Sequence, residues 1–286
     1  MRPTDVFMLI RPWQWYKNLV FFIPIVFSQS LLKFELWPIM VIGFAILCLV
    51  SSVSYIINDI IDTEADKAHP EKKKRPLPSG RVSSTHAYLL AAILAFFALY
   101  LSTFTPFAFS LLALALFLST LLYTLYLKNI PLVDIHVIAI NFILRTASGA
   151  FIIGVDVSPW LVIVIFLLAL FLAIGKRKSE IEKFGRKNLK KPVFKFYTQE
   201  ILNRLTDITA TMLSMSYILY TSFTHNFRLM VTIPLATFLV FRYLYFIQSN
   251  SEVARKSELV FCDKQMLAGI LIWIALSIVL LYTQYL

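Results

Sequence analysis

Nine stretches of this chain are apolar over the length a helix needs to cross a bilayer: about 19–32, 37–57, 87–104, 107–127, 135–154, 159–175, 205–222, 229–247 and 265–285. A hydrocarbon core about 30 Å thick takes roughly 20 residues at 1.5 Å per residue. Inside it, every backbone donor and acceptor must be satisfied within its own segment. The fold class that follows is all-α: a polytopic membrane protein, read as a bundle of nine transmembrane helices forming one domain over residues 1–286. The first run is short enough to be tilted or partly interfacial. A composition of 59% hydrophobic and 15% charged residues, with a mean hydropathy of +0.75, agrees. The start at Met1–Asp5 lacks the charged, apolar and small-residue succession of a cleaved signal, so the first apolar segment is expected to stay. Cys48 and Cys262 suggest packing residues, neither a disulfide framework nor a metal knuckle.

The net charge of +11 raises the question of nucleic acid, and its distribution answers it. With the N-terminus and the loop after the second span on one side, 23 of the 27 Lys and Arg fall on that side, against Lys33 and Arg228 opposite. The positive-inside rule predicts that N-terminus and those loops to be cytoplasmic in a multi-pass protein of the cell membrane. Nucleic acid is discarded as a partner, because topology already accounts for the charge.

The stretch from Asn58 to Gly80 leaves the second apolar run as Asn-Asp-Ile-Ile-Asp-Thr-Glu-Ala-Asp, continues through Lys72, Lys73, Lys74 and Arg75, and closes with Pro-Leu-Pro-Ser-Gly. If the helix continues at 100° per residue, Asn58, Asp62, Asp66 and Asp59 fall at about 0°, 40°, 80° and 100°. Three carboxylates and a carboxamide then share one face. Carboxylates grouped so closely repel unless cations sit among them. Hard oxygen donors suit Mg²⁺ held jointly with a phosphorylated substrate, and Lys72 and Arg75 are expected to hold the oxygens the metal does not reach. A solvated acidic helix end followed by a basic loop is the plainer alternative.

Other polar residues sort by depth. Lys17 and Asn18 follow the aromatic cluster Trp13–Trp15–Tyr16 and are either interfacial or part of the site, as are Tyr126 and Lys128 at the end of the fourth span. Asp134 and His136 open the fifth span as candidate caps. Asn141 and Arg145 lie one turn apart on that span, Arg145 about 15 Å from its cytoplasmic edge. A guanidinium at that depth is expected to face the bundle interior and pair with an anion or with carbonyls, which makes it a functional candidate. Arg242 is near enough to a span end to snorkel. Lys176, Arg177 and Glu180 close the sixth span, either as a positive-inside cluster or as phosphate-gripping cations with one carboxylate. Residues 182–195 read as a solvated amphipathic loop, and 257–264 as a lid or a plain connection.

Asn58-Asp59-x-x-Asp62-x-x-x-Asp66 followed by Arg75-Pro76-Leu77-Pro78-Ser79-Gly80 on such a chain resembles the UbiA superfamily of intramembrane prenyltransferases. Within it, Arg11-Pro12-x-Gln14-Trp15-x-Lys17-Asn18, His69-Pro70-x-Lys72-x-x-Arg75-Pro76 and Gly175-Lys176-Arg177 with Glu180 resemble the decaprenyl-phosphate phosphoribosyltransferase branch. The resemblance implies that Asn58, Asp59, Asp62 and Asp66 hold Mg²⁺ and diphosphate, with the three aspartates catalytic and Lys72 and Arg75 binding substrate. It implies transfer of 5-phosphoribose from phosphoribosyl diphosphate to a polyprenyl phosphate. Where aromatic-acceptor members carry a second Asp-rich motif, this chain has Lys176-Arg177-Lys178-Ser179-Glu180. That departure favours a donor whose extra phosphate needs cations. Two alternatives remain: transfer of a prenyl group from a prenyl diphosphate to a lipophilic acceptor, and transport. Transport fits less well, since the acids gather at one membrane face instead of at the midplane of several helices.

Overall fold

The structure is a computed structural model that describes residues 2–68, 71–185, 192–223 and 227–283. His69 and Pro70 of the basic motif and residues 186–191 of the polar loop lie outside the described residues. The regular elements are helices: α1 (Pro3–Ile10), α2 (Ile23–Phe27), α3 (Trp37–Ile61), α4 (Thr63–Lys67), α5 (Ser84–Ser102), α6 (Phe107–Leu125), α7 (Val133–Ile152), α8 (Pro159–Phe184), α9 (Val193–Phe196), α10 (Gln199–Phe223), α11 (Ile233–Gln248), α12 (Glu252–Arg255) and α13 (Lys264–Tyr282).

Seven helices among the described residues are long and apolar enough to cross a membrane, matching seven of the nine expected spans. The other two runs differ for separate reasons. The run 19–32 is interrupted: Pro12–Phe22 is a 3₁₀ segment, Pro24 lies in α2, and the chain turns at Gln29 with φ 57°. Proline removes a donor and fixes φ, so no single helix threads this run. The run 205–222 lies in α10, which is 25 residues long but threaded with Thr, Ser, Asn and Asp. Its buried positions Leu202, Thr206, Thr209, Ala210, Leu213, Tyr217 and Tyr220 follow the spacing of an amphipathic helix with one inward stripe.

The chain divides into two compact units, Met1–Ile25 with Lys33–Lys128 and Leu144–Asp156, and Val26–Leu32 with Asn129–Ile143 and Val157–Leu286. In the first, α3 packs against α5 and α6. Leu9, Val53, Ile56, Leu77, Val82, Ala87 and Ala91 form a buried cluster that fastens α1 and the Pro-Leu-Pro turn to α3. Ser51, Ser52 and Ser54 give α3 a small polar stripe, and the Ser52 hydroxyl donates to the Ile10 carbonyl at 2.8 Å while accepting from Trp15 Nε1. Small residues of this kind let backbones approach in a membrane. In the second unit, α8 and α10 pack side by side. Here the solvated-loop reading of 182–195 is corrected: Val193 and Phe194 are buried against Ile174 and Ile181, because two apolar side chains there have a core to enter.

One contact in the first unit makes a sharp test. A Cβ built on Gly149 of α7 would stand 1.9 Å from the Phe21 carbonyl oxygen, and a backbone atom cannot swing aside. Gly149→Ala is expected to destabilise by about 2 kcal/mol or more through overpacking, seen as a lowered melting temperature in detergent.

Candidate active site

The site in the first unit grows from the end of α3. The Thr63 hydroxyl donates to the Asp59 carbonyl at 2.7 Å, a side-chain bond that competes with the helix ladder, and Asp62 leaves helical geometry at φ −86°, ψ 3°. The chain restarts at once as α4, and the bonds from Asp62 N to Asn58 O and from Asp66 N to Asp62 O keep helical spacing through the break. Across a kink the periodicity did not contain, Asp59 and Asp66 stay within reach of one cation, while Asp62 takes a partner of its own.

Four cations stand among three carboxylates. Arg11 donates through Nη2 to both oxygens of Asp59, at 2.6 and 2.7 Å. Arg75 Nη1 donates to Asp59 at 2.9 Å and to Asp66 at 2.6 Å, so one nitrogen ties the two acids together. Lys72 lies 3.5 Å from Asp66, and Lys128 donates to Asp62 at 2.5 Å. Asp59 and Asp66 are 1% and 3% exposed, so these are partly desolvated pairs whose geometry carries weight. Asn58 accepts from the Thr124 hydroxyl at 3.3 Å.

Local sequence sets each cation in place. Arg75 precedes Pro76 and is therefore extended, at φ −66°, ψ 157°, while buried Leu77 and Gly80 at φ 74° close the turn. Burial, and after it the nearby Arg11 charge, pulls the Arg75 guanidinium below its ordinary value, opposed by Asp59 and Asp66. It stays charged, since arginine titrates far above neutrality. Arg11 sits in the left-handed region at φ 51°, ψ 60°, capping α1 through its N–H to the Phe7 carbonyl. That conformation is unfavourable for a residue with a Cβ and is offset by the charge-assisted contact of Nη2 with both Asp59 oxygens. Arg81 ties the loop back to α1, donating to the Lys74 carbonyl at 2.8 Å and pairing with Asp5 at 3.2 Å.

A deeper group lies in the same unit. Arg145, 8% exposed, donates through Nε to Asn18 Oδ1 at 2.8 Å, and the Asn18 amide nitrogen lies 3.4 Å from both Ser51 Oγ and Cys48 Sγ. Lys17 is half-buried with its ammonium 5.9 Å from the Tyr16 ring centroid, and Tyr126 stands 64% exposed.

The second unit carries its own buried charge group. Asp134, fully buried, accepts from the Tyr197 hydroxyl and from Arg177 Nε at 2.9 Å, and Arg177 reaches Glu180 at 3.0 Å. Burial, and then the bond to Asp134, pushes the Tyr197 phenol above its usual range, so it serves as a donor. Lys176 is exposed on α8, and Asn141 is buried on α7. Arg242 pairs with Asp263 at 2.8 Å.

A family profile described as the UbiA prenyltransferase family matches residues 19–265. The chain belongs to this family. It is thus a membrane-embedded UbiA-type transferase. Decaprenyl-phosphate phosphoribosyltransferase of Mycolicibacterium smegmatis is 31% identical over 213 residues, 73% of this chain and 67% of that protein. The Corynebacterium glutamicum protein of the same name is 32% identical over 218 residues, 74% of this chain and 65% of that one. The chain thus spans about two thirds of the length of these UbiA-family relatives. A solved UbiA homolog from Archaeoglobus fulgidus bound to GPP and Mg²⁺ shares the fold, with a TM-score of 0.75 at 18% identity over 97% of this chain and 99% of that one.

Sequence reasoning passed over Arg11, Thr124, Asp134 and Tyr197 as site members. Arg11 had a signal, a cation one residue ahead of a proline that ends a short helix. Asp134 and Tyr197 had none, because 63 residues separate the two partners.

Proposed function

We propose that this UbiA-family chain transfers 5-phosphoribose from phosphoribosyl diphosphate to a polyprenyl phosphate. The observation that carries the reading is the lattice at the end of α3, where Arg11, Lys72, Arg75 and Lys128 outnumber Asp59, Asp62 and Asp66 and leave one positive charge in excess. Such a lattice accepts an anionic phosphate ester by exchange of partners. The names of the mycobacterial and corynebacterial relatives support phosphoribosyl transfer and a polyprenyl phosphate acceptor.

The donor set suits Mg²⁺. Asn58, Asp59, Asp62 and Asp66 offer only hard oxygens, and the ion characteristically takes one or two carboxylates with the substrate's phosphates. When bound, Mg²⁺ supplies neutralisation of the departing diphosphate.

The chain's own cations do the rest. Arg75 and Lys72 are released to the diphosphate oxygens as their carboxylates find another partner, and Arg11 keeps Asp59 aligned. In the transfer, an oxygen of the lipid phosphate bonds to ribose C1 while the C1–diphosphate bond breaks and diphosphate leaves with that electron pair. The acceptor is already anionic, so no general base is needed, and positioning with electrostatic stabilisation is sufficient. Arg145 and Asn18 provide a buried polar seat of the kind an anion in a membrane requires. The charge bias supports a cytoplasmic position for the lattice.

Purified protein incubated with phosphoribosyl diphosphate, a polyprenyl phosphate and Mg²⁺ is expected to release diphosphate and form a charged ribolipid. Turnover of a prenyl diphosphate with a lipophilic acceptor, and none of phosphoribosyl diphosphate, overturns the reading.

A further inference from the structure

The second unit holds a polar cavity of about 420 Å³ that the proposed reaction does not use, lined by Lys178, Glu182, Gln199, Asn203, Thr206, Asp207 and Gln248. Its residues lie on the last turns of α8 and α11 and the first turns of α10, helix ends that meet at the cavity. At 100° per residue Lys178 and Glu182 stand some 160° away from Lys176 and Glu180 around α8, so the cavity belongs to the opposite face of that helix.

Its charges are incompletely matched. Lys178 is only 7% exposed, and no ion pair or hydrogen bond joins it to another described residue. Glu182 receives Gln199 Nε2 on one oxygen, while its other oxygen, Oε2, is buried without a hydrogen-bond partner. Asp207 adds a second carboxylate at the exposed rim beside Asn203 and Gln248. Lys178 thus lines the cavity without a described counter-charge and Glu182 with one oxygen unpaired, and one ligand carrying both an anion and N–H donors complements the two.

That requirement eliminates most ligands. A phosphate dianion meets Lys178 but is repelled by Glu182 and Asp207. A divalent cation is repelled by Lys178. A neutral polyol leaves the ammonium unanswered. A compact molecule with a phosphate and a primary ammonium a few bonds apart satisfies Lys178 with its oxygens and Glu182 with its N–H donors, and the rim amides bind what remains. We infer that this cavity binds a phosphoethanolamine group, whether borne by a bilayer lipid or free in solution. The site is independent of the transfer reaction.

The test uses the purified full chain in nanodiscs of phosphatidylethanolamine mixed equally with phosphatidylcholine or phosphatidylglycerol, followed by native mass spectrometry of retained lipid. Phosphatidylethanolamine is expected to be retained about tenfold over either rival, the scale of one charge-assisted hydrogen bond. Phosphatidylcholine offers no N–H donor and phosphatidylglycerol no cation. Lys178→Met and Glu182→Gln are each expected to abolish the preference, while Lys178→Arg keeps it and guards against loss through misfolding. Soluble O-phosphoethanolamine is expected to raise the melting temperature of the wild-type chain and not of Lys178→Met. A thermal shift without lipid preference assigns the site to the free compound. Equal retention of the three lipids with no thermal shift, or a preference for phosphatidylglycerol, overturns the inference.

Discussion

Asp59→Asn is expected to lower transfer by at least about 100-fold, the scale of losing a charge-assisted contact of roughly 3 kcal/mol in the transition state. Asp59 is the most connected acid of the lattice: Arg11 grips both its oxygens and Arg75 shares it with Asp66. Removing its charge takes from Arg11 the carboxylate it grips and leaves Arg75 with Asp66. Breaking a buried pair in this way typically costs about 3–5 kcal/mol, and roughly 2–3 is expected here because the Arg11 and Arg75 side chains keep 16% and 27% of their exposure.

The fold effect and the chemical effect separate in a double-mutant cycle. Arg11→Met added to Asp59→Asn removes the uncompensated cation, so the melting temperature in detergent should recover part of its loss, while transfer of phosphoribose should not. Asp66→Asn is expected to behave similarly with a smaller stability loss, since Lys72 stands at 3.5 Å and is partly solvated. Full turnover by Asp59→Asn would show the lattice to be structural and would remove the basis for assigning the reaction to it.

What the sequence made legible is instructive about where physics acts locally. Helix lengths followed from apolar runs because a bilayer forces each span to satisfy its own backbone, and α3, α5, α6, α7, α8, α11 and α13 lie where those runs put them. The run 19–32, short enough to be tilted or partly interfacial, does not form one helix, because hydropathy ignores what Pro24 and a left-handed Gln29 do to a backbone. The spacing that keeps Asp59 and Asp66 within reach of one cation was readable from a 3.6-residue period, and the need for cations among the acids from Coulomb's law. Which cations answer it was not readable. Lys128 is 66 residues from Asp62 and Arg11 is 48 from Asp59, and such pairs are set by packing that no local pattern encodes. The depth of Arg145 was visible, but its partner Asn18, 127 residues away, was not.

That partnership yields the second large effect. Arg145→Met is expected to cut transfer at least about 30-fold, because truncating one side of a buried, hydrogen-bonded charged contact costs about 2–5 kcal/mol and each 1.4 kcal/mol is tenfold. Methionine keeps much of the volume and removes every donor, so the change reads the guanidinium and not a cavity. Asn18 Oδ1 loses its 2.8 Å donor, a stability loss of about 1–3 kcal/mol that should appear as a lower melting temperature. If the guanidinium seats the lipid phosphate, the apparent KM for polyprenyl phosphate rises while that for phosphoribosyl diphosphate holds. Arg145→Lys discriminates further. Lysine retains the charge without the planar fork, so it should recover part of the melting temperature and little of the transfer rate. Were both variants to bind acceptor and turn over like the wild type, Arg145 would be a packing residue that holds Asn18 against Ser51, and the acceptor phosphate would have to be seated elsewhere among the cations.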